Sequence, residues 1–223
     1  MKADERLERA GPAWRAAFEL AWESWRAGSL GIGSVLVDSA GDVVTRGRNR
    51  VLEKPESGRV AGTLIAHAEM DAFAQLGLAT AEGLSLYTTV EPCLMCRATA
   101  IAMRTARVCS AAPDPVFEGL DDALAAHSYM EDRMPVREHL HDAVLVRFAA
   151  LLPLANRVWS RPGRPPRREW LEANQGVWQA AGRLVGDGSL ARLARDGEPV
   201  ATVIDACSGA LNEFGASGAG RAS

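Results

Sequence analysis

The stretch LSLYTTVEPCLMCRATAIAMRTARVCSAA (84–112) decides how the chain folds. Residues 84–90 form a short apolar, partly β-branched run that reads as a buried strand. It passes through Glu91-Pro92 into Cys93, and 93–103 continues as a helix with small residues on one side. RVCSAA (107–112) returns to strand character. A strand–helix–strand step is a parallel crossover, because parallel neighbours cannot be joined by a tight turn. Cys93 and Cys96 stand three apart at the start of that helix. Taken alone they fit a redox dithiol, part of a metal site, or two small core residues.

Working outward, residues 3–27 place apolar side chains at threes and fours, with Gly11-Pro12 interrupting the first turns, and predict a helix. IGSVLVD (32–38) and DVVTRGRN (42–49) flank a turn at Ala40-Gly41 and predict an antiparallel hairpin. Residues 50–63 are rich in turn formers and predict a loop, and 66–77 a helix ending at Gly77. The order helix–hairpin–helix–strand–helix–strand describes an α/β sandwich with a mixed sheet. Further on, helices are expected at 117–128, 142–159, 168–184 and 197–214, with a loop around Pro113-Asp114-Pro115. RPGRPPRRE (161–169) is the linker candidate. The expected division is therefore 1–159 as one domain and 160–223 as linker and helical C-terminal extension, with GASGAGRAS as a frayed tail.

With 223 residues, 48% hydrophobic and 24% charged, the chain can bury a sizeable core, which excludes wholesale disorder. Its formal net charge of −3 does not advertise nucleic acid or an anionic membrane as the main partner. The first 25 residues are charged throughout, unlike a signal peptide or a transmembrane helix. AVLVRFAALLPLA (143–155) is too short to span a bilayer and carries an arginine. The expectation is a cytoplasmic protein with no membrane attachment. In a reducing compartment a close cysteine pair serves metal binding or thiol chemistry better than a disulfide framework.

A second feature favours the metal. His67-Ala68-Glu69 opens the preceding helix, giving H-x-E followed by P-C-x-x-C with one strand between the two helix starts. Two sulfurs three residues apart at a helix N-terminus point the same way, and the helix dipole favours their thiolate form. His67 supplies a third ligand. Three protein ligands leave a position for water, as catalytic zinc sites do, whereas structural sites are closed by four. Glu69 stands beside the metal without coordinating it, placed to move protons.

At these residues the sequence resembles the cytidine deaminase-like superfamily, whose zinc deaminases carry this signature. The wording A-H-A-E with V-E-P-C-x-M-C is most similar to the branch of guanine, tRNA adenosine and bacterial nucleobase or nucleoside deaminases. The resemblance covers about residues 10–115 and implies a three-layer α/β/α sandwich with one Zn²⁺ per chain. It implies His67, Cys93 and Cys96 as zinc ligands and Glu69 as the proton shuttle. It further implies Asn49, the backbone amide of Ala68, and Asp114 as substrate contacts. The implied activity is hydrolytic removal of an exocyclic amine from a nucleobase, nucleoside or related small heterocycle, by a homodimer. A tRNA-specific adenosine deaminase is the nearer alternative, and a non-catalytic zinc-binding interaction module the more distant one. The intact Glu69 speaks against the latter.

Plainer readings stand beside these. Cys109 and Cys207 read as core residues that also offer a fourth ligand for a structural zinc. His127, His139 and His141 read as exposed or lightly paired. Asn49 serves equally as a strand-end hydrogen-bonder. The Trp-bearing helix at 14–25 reads as core or dimer surface, and the arginines at 161, 164, 167 and 168 as a solvated linker or phosphate contacts.

Overall fold

The structure, a computed structural model, describes residues 1–215; the expected tail lies almost wholly outside the described residues. Five strands form one sheet in the order β2-β1-β3-β4-β5: β1 Gly33–Val37, β2 Val43–Arg48, β3 Ser85–Val90, β4 Arg107–Ala112 and β5 Val136–His139. The hairpin β1–β2 and the pair β1–β3 are antiparallel, whereas β3–β4 and β4–β5 are parallel. The sheet is therefore mixed, and the crossover read from 84–112 is present.

The helices are α1 Ala3–Ala10, α2 Pro12–Arg26, α3 Ala68–Ala74, α4 Leu94–Ala102, α5 Leu120–Ala125, α6 Ser128–Glu131, α7 Ala143–Ser160, α8 Arg168–Ala173, α9 Gln175–Gly186, α10 Ser189–Arg195 and α11 Val200–Gly215. The period-2 alternation of the strands sorts them into layers. Leu36, Leu86 and Val108 face one way and pack with Phe73 of α3 and Ala100 of α4. On the opposite face Cys109 and Ala111 meet Trp14 and Phe18 of α2 and Leu145 and Phe148 of α7. The result is the three-layer α/β/α sandwich. The same core cluster continues into Val177, Leu184, Leu190, Val203 and Ile204 of α9, α10 and α11.

Two glycines set how close the helices come. A Cβ on Gly33 would collide with Ala17 O and Ala21 N of α2, and one on Gly47 with Ala68 O and Ala72 N of α3. Only hydrogen fits there, so α3 lies directly on β2. Asp71, buried in α3, accepts from Arg48 N at 3.1 Å and Arg50 Nε at 3.2 Å, and Arg50 N donates to Ala66 O at 2.9 Å. These contacts fix the entry to α3, where His67 stands.

Several expectations are corrected. The helix expected over 117–128 is a 3-10 turn at Pro115–Phe117 followed by two short helices, α5 and α6, with Gly119 at φ 73° between the turn and α5. The strand β5 was not anticipated, because VREH alternates no apolar residues and its side chains are largely exposed on an edge. The helix expected over 168–184 breaks at Asn174, whose φ of −129° is not helical. The helix α7 reaches 18 residues, enough by length and composition to cross a membrane, and 143–155 alone understated it. Its apolar side chains Leu145, Phe148, Leu151 and Leu152 are fully buried in the protein core.

Candidate active site

Two helix starts converge on one point. His67 is the N-cap of α3 and Cys93 the N-cap of α4, both in extended backbone, while Cys96 occupies the third position of α4. An N-cap side chain and the third helical residue are natural neighbours, the geometry on which capping boxes rest. Cys93 Sγ therefore lies 3.6 Å from Cys96 Sγ, and each sulfur lies 3.6 Å from His67 Nδ1.

This triangle fits zinc. Tetrahedral bonds of about 2.3 Å to sulfur and about 2.0–2.1 Å to nitrogen put the donors about 3.6–3.8 Å apart. Electrostatics agrees. Cys93 is drawn down to about 4, chiefly by the hydrogen bond from Cys96, against the opposing push of its burial and with help from His67. Cys96 is driven upward by its bond to Cys93 and by burial. The first thiolate forms readily and the second is resisted, a resistance that a divalent cation between them removes. His67 is raised, mainly by its bond to Cys93, although burial opposes this. Among the described residues His67, Cys93 and Cys96 form the one group of this kind. Cys109 and Cys207 are buried elsewhere and supply no fourth donor.

Glu69 is the second residue of α3 and is 4% exposed, with Oε1 accepting from Thr88 Oγ1 at 3.2 Å and Oε2 3.4 Å from Cys96 Sγ. Burial raises its carboxyl above the ordinary value, and the His67 charge only partly offsets this. It adjoins the triangle without being one of its donors.

These groups open into a cavity of about 530 Å³ whose lining includes His67, Glu69, Glu91, Cys93 and Asp114. Asp114 caps the 3-10 turn by accepting from Val116 N at 3.1 Å, and it also accepts from Trp170 Nε1 at 2.7 Å. Burial raises its carboxyl, against those two hydrogen bonds. Asn49 and Ala68 are buried and do not line this cavity. Asn49 Oδ1 accepts from Ser29 Oγ at 2.7 Å and Val51 N at 3.2 Å, while its Nδ2 is without a partner. Ala68 contributes the first amide of α3. His127, His139 and His141 stand away from the cavity; His127 caps α6 and His139 meets Ser110 Oγ at 3.1 Å.

The sequence reading missed two parts of the site. One is a charge network beneath the Glu91-Pro92-Cys93 turn. Glu91 Oε1 accepts from Arg97 Nη2 at 2.9 Å and Arg137 Nη2 at 2.6 Å, and Glu91 Oε2 accepts from Asp114 N at 2.9 Å. Both arginines also reach Asp121 at 2.8 Å. Arg137 comes from β5, so the unanticipated edge strand anchors the loop that carries Asp114. The other is a wall of the cavity built by Pro153, Leu154, Arg157, Pro166, Arg167 and Trp170. Its only trace in the sequence is the Pro- and Arg-rich run 161–169.

A mixed-sheet α/β/α sandwich with a His-Cys-Cys clamp at two converging helix starts is a zinc-binding domain. Residues 8–112, just under half of the chain, match the model of the cytidine and deoxycytidylate deaminase zinc-binding region, and that part of the chain is of the cytidine deaminase-like superfamily. It is 31% identical over 118 residues to a tRNA(Ile)-lysidine synthase of Deinococcus deserti, covering 50% of this chain and 21% of that protein. The chain thus spans about a fifth of the length of this relative. It is 27% identical over 135 residues to the tRNA-specific adenosine deaminase of Aquifex aeolicus, covering 56% of this chain and 84% of that one. Among solved structures, the guanine deaminase of Bacillus subtilis is 30% identical, with 51% of this chain and 72% of that chain covered and a TM-score of 0.39.

Proposed function

We propose that this protein is a zinc-dependent hydrolytic deaminase of a small aminated heterocycle, a nucleobase, nucleoside or close relative. The observation that carries the reading is the buried Glu69 carboxyl, which sits beside a three-donor clamp and is not itself one of the donors. His67, Cys93 and Cys96 hold the zinc, which when bound supplies a Lewis acid that makes water a stronger acid. Glu69 takes the proton from the attacking water and passes it to the neighbouring ring nitrogen. The water oxygen bonds to the amine-bearing carbon. Glu69 then takes the remaining proton of the added hydroxyl and delivers it to the departing nitrogen, the C–N bond breaks, and a carbonyl and ammonia result. Its raised pKa suits both halves of this cycle, since a carboxyl must take and release protons with little bias either way. Asp114 and Glu91 line the same cavity and supply acceptors for ring N–H groups.

The test is ammonia release from the zinc-loaded protein across cytosine, adenine and guanine with their nucleosides and nucleotides. Glu69→Gln should retain zinc and release ammonia about 10²- to 10⁴-fold more slowly. A variant that retains zinc and releases ammonia at the parental rate sinks the role given to Glu69, whereas a zinc-loaded parent that releases ammonia from none of these compounds leaves the interaction module standing. The match to the Aquifex aeolicus enzyme favours a second reading, deamination of adenosine in tRNA. That reading requires activity on an anticodon stem-loop with a steep salt dependence.

A further inference from the structure

The cavity has two walls of different origin and opposite character. One is made by the starts of α3 and α4 with the Asp114 turn, and carries His67, Glu69, Glu91 and Asp114. The other comes from α7, the segment leading into α8 and α8 itself, and carries Arg157, Arg167 and Trp170. The Trp170–Asp114 hydrogen bond at 2.7 Å ties the walls together.

Arg157 is half-buried and held in place. Its Nε donates to Arg164 O and its Nη2 to Pro165 O, each at 3.1 Å. Those bonds use two of its five N–H groups and no carboxylate. Among the described residues, neither Arg157 nor Arg167 has a carboxylate partner, although ten other arginines do. A guanidinium fixed by backbone carbonyls keeps its full charge and presents its remaining donors, an arrangement that matches phosphate oxygens. A neutral base or nucleoside would leave the half-buried Arg157 guanidinium without a counter-charge.

We propose that Arg157 and Arg167 bind a phosphate monoester on the substrate, so that the aminated heterocycle is taken as a nucleoside 5′-monophosphate. This rests on the deaminase reading above and extends it. The base enters toward Glu69, and the phosphate meets the arginine wall. A cavity of about 530 Å³ is of the size that holds a ligand of this class.

The experiment measures binding and ammonia release separately on the zinc-loaded full chain, using nucleoside and 5′-monophosphate pairs of cytidine, deoxycytidine, adenosine and guanosine. For at least one base the monophosphate should bind about tenfold or more tightly than its nucleoside. In the double variant Arg157→Gln, Arg167→Gln that ratio should fall below about threefold. Because Arg167 is exposed, Arg167→Gln alone serves if the double variant does not fold, and it must also lower the ratio. Four results overturn the proposal: no monophosphate preference, a preference that survives the substitutions, inorganic phosphate binding as tightly as the monophosphate, or an anticodon stem-loop outbinding every monophosphate. An arginine-dependent preference without ammonia release would uphold the phosphate site and remove the deaminase reading. Ammonia release without the preference would do the reverse.

Discussion

Replacing Gly47 by alanine tests how the sheet positions the metal clamp. The added methyl would meet Ala68 O and Ala72 N, which are backbone, and would lie 2.9 Å from Ala72 Cβ. Carbon atoms rest at about 3.5–4.0 Å, so α3 must recede by about 1 Å. His67 caps that helix and moves with it. The 3.6 Å separations from Nδ1 to the two sulfurs would then open on the imidazole side only. Zinc bonds tolerate displacements of a few tenths of an ångström, so affinity should fall by about 10- to 100-fold, the range seen when a ligand's supporting contacts are removed. Strain from overpacking should also cost about 1–3 kcal/mol of folding stability. Competition for zinc against a chromophoric chelator measures the first, and thermal melting with and without zinc the second. Gly41→Ala is the control: the Gly41 backbone, at φ 91°, disfavours a side chain, but nothing lies within 4 Å of the added methyl. It should lower the melting temperature and leave zinc affinity at the parental value. If Gly47→Ala binds zinc as tightly as the parent, the claim that β2 sets the position of His67 is refuted.

Three other outcomes are expected. Chelating the zinc should abolish ammonia release and lower the melting temperature, with both restored by added zinc; at a free concentration a hundredfold above Kd the lost stabilisation is about 2.7 kcal/mol. Asp142→Ala should destabilise the protein by about 1 kcal/mol, measured by urea titration at neutral pH, because its carboxylate caps α7 through Val144 N and Leu145 N and pairs with Arg6 at 2.7 Å. Burial opposes ionisation of Asp142, but those hydrogen bonds and the Arg6 charge outweigh it and hold its pKa below 3.8, so its contribution is complete above about that pH and is lost as pH falls through the lowered value. The gap between parent and Asp142→Ala should therefore close in acid titrations, and a gap that widens there would contradict the assignment. Arg137→Met should leave Glu91 and Asp121 with one guanidinium in place of two and lower stability by about 3 kcal/mol or more. An unchanged melting curve would show that the network beneath the cysteine turn carries no strain-bearing role.

Local spacing made the clamp readable. Cys93 and Cys96 are neighbours because one residue caps a helix and the other sits in its first turn, and His67 and Glu69 flank the start of another helix. Those relations are fixed within three residues of sequence, and the strand between them fixes the separation of the two helix starts. The central strands were legible for a similar reason: Val35, Leu36, Leu86 and Val108 are buried between helices, and their side chains say so. Edge strand β5 has no such constraint. Its residues Val136, Arg137, Glu138 and His139 are recruited by pairing with β4 and by ion pairs 16 and 46 residues away in sequence. Pattern alone cannot reveal partners at that range.

The second cavity wall is the extreme case of the same rule. Trp170 reaches Asp114 across 56 residues of sequence, and Arg157 is oriented by the carbonyls of a Pro-rich segment that looked like solvated linker. Neither relation has a local signature, and both lie beyond residue 112, where the family match ends. On the proposed reading, the chemistry and the choice of substrate are written in different parts of the chain. The starts of α3 and α4 lie within the region that matches the family and carry the metal clamp, while α7, α8 and the segment between them wall the cavity beside it. Substituting Arg157 and Arg167 should therefore change which molecule is bound, whereas changing Glu69 should alter the rate for every molecule that binds.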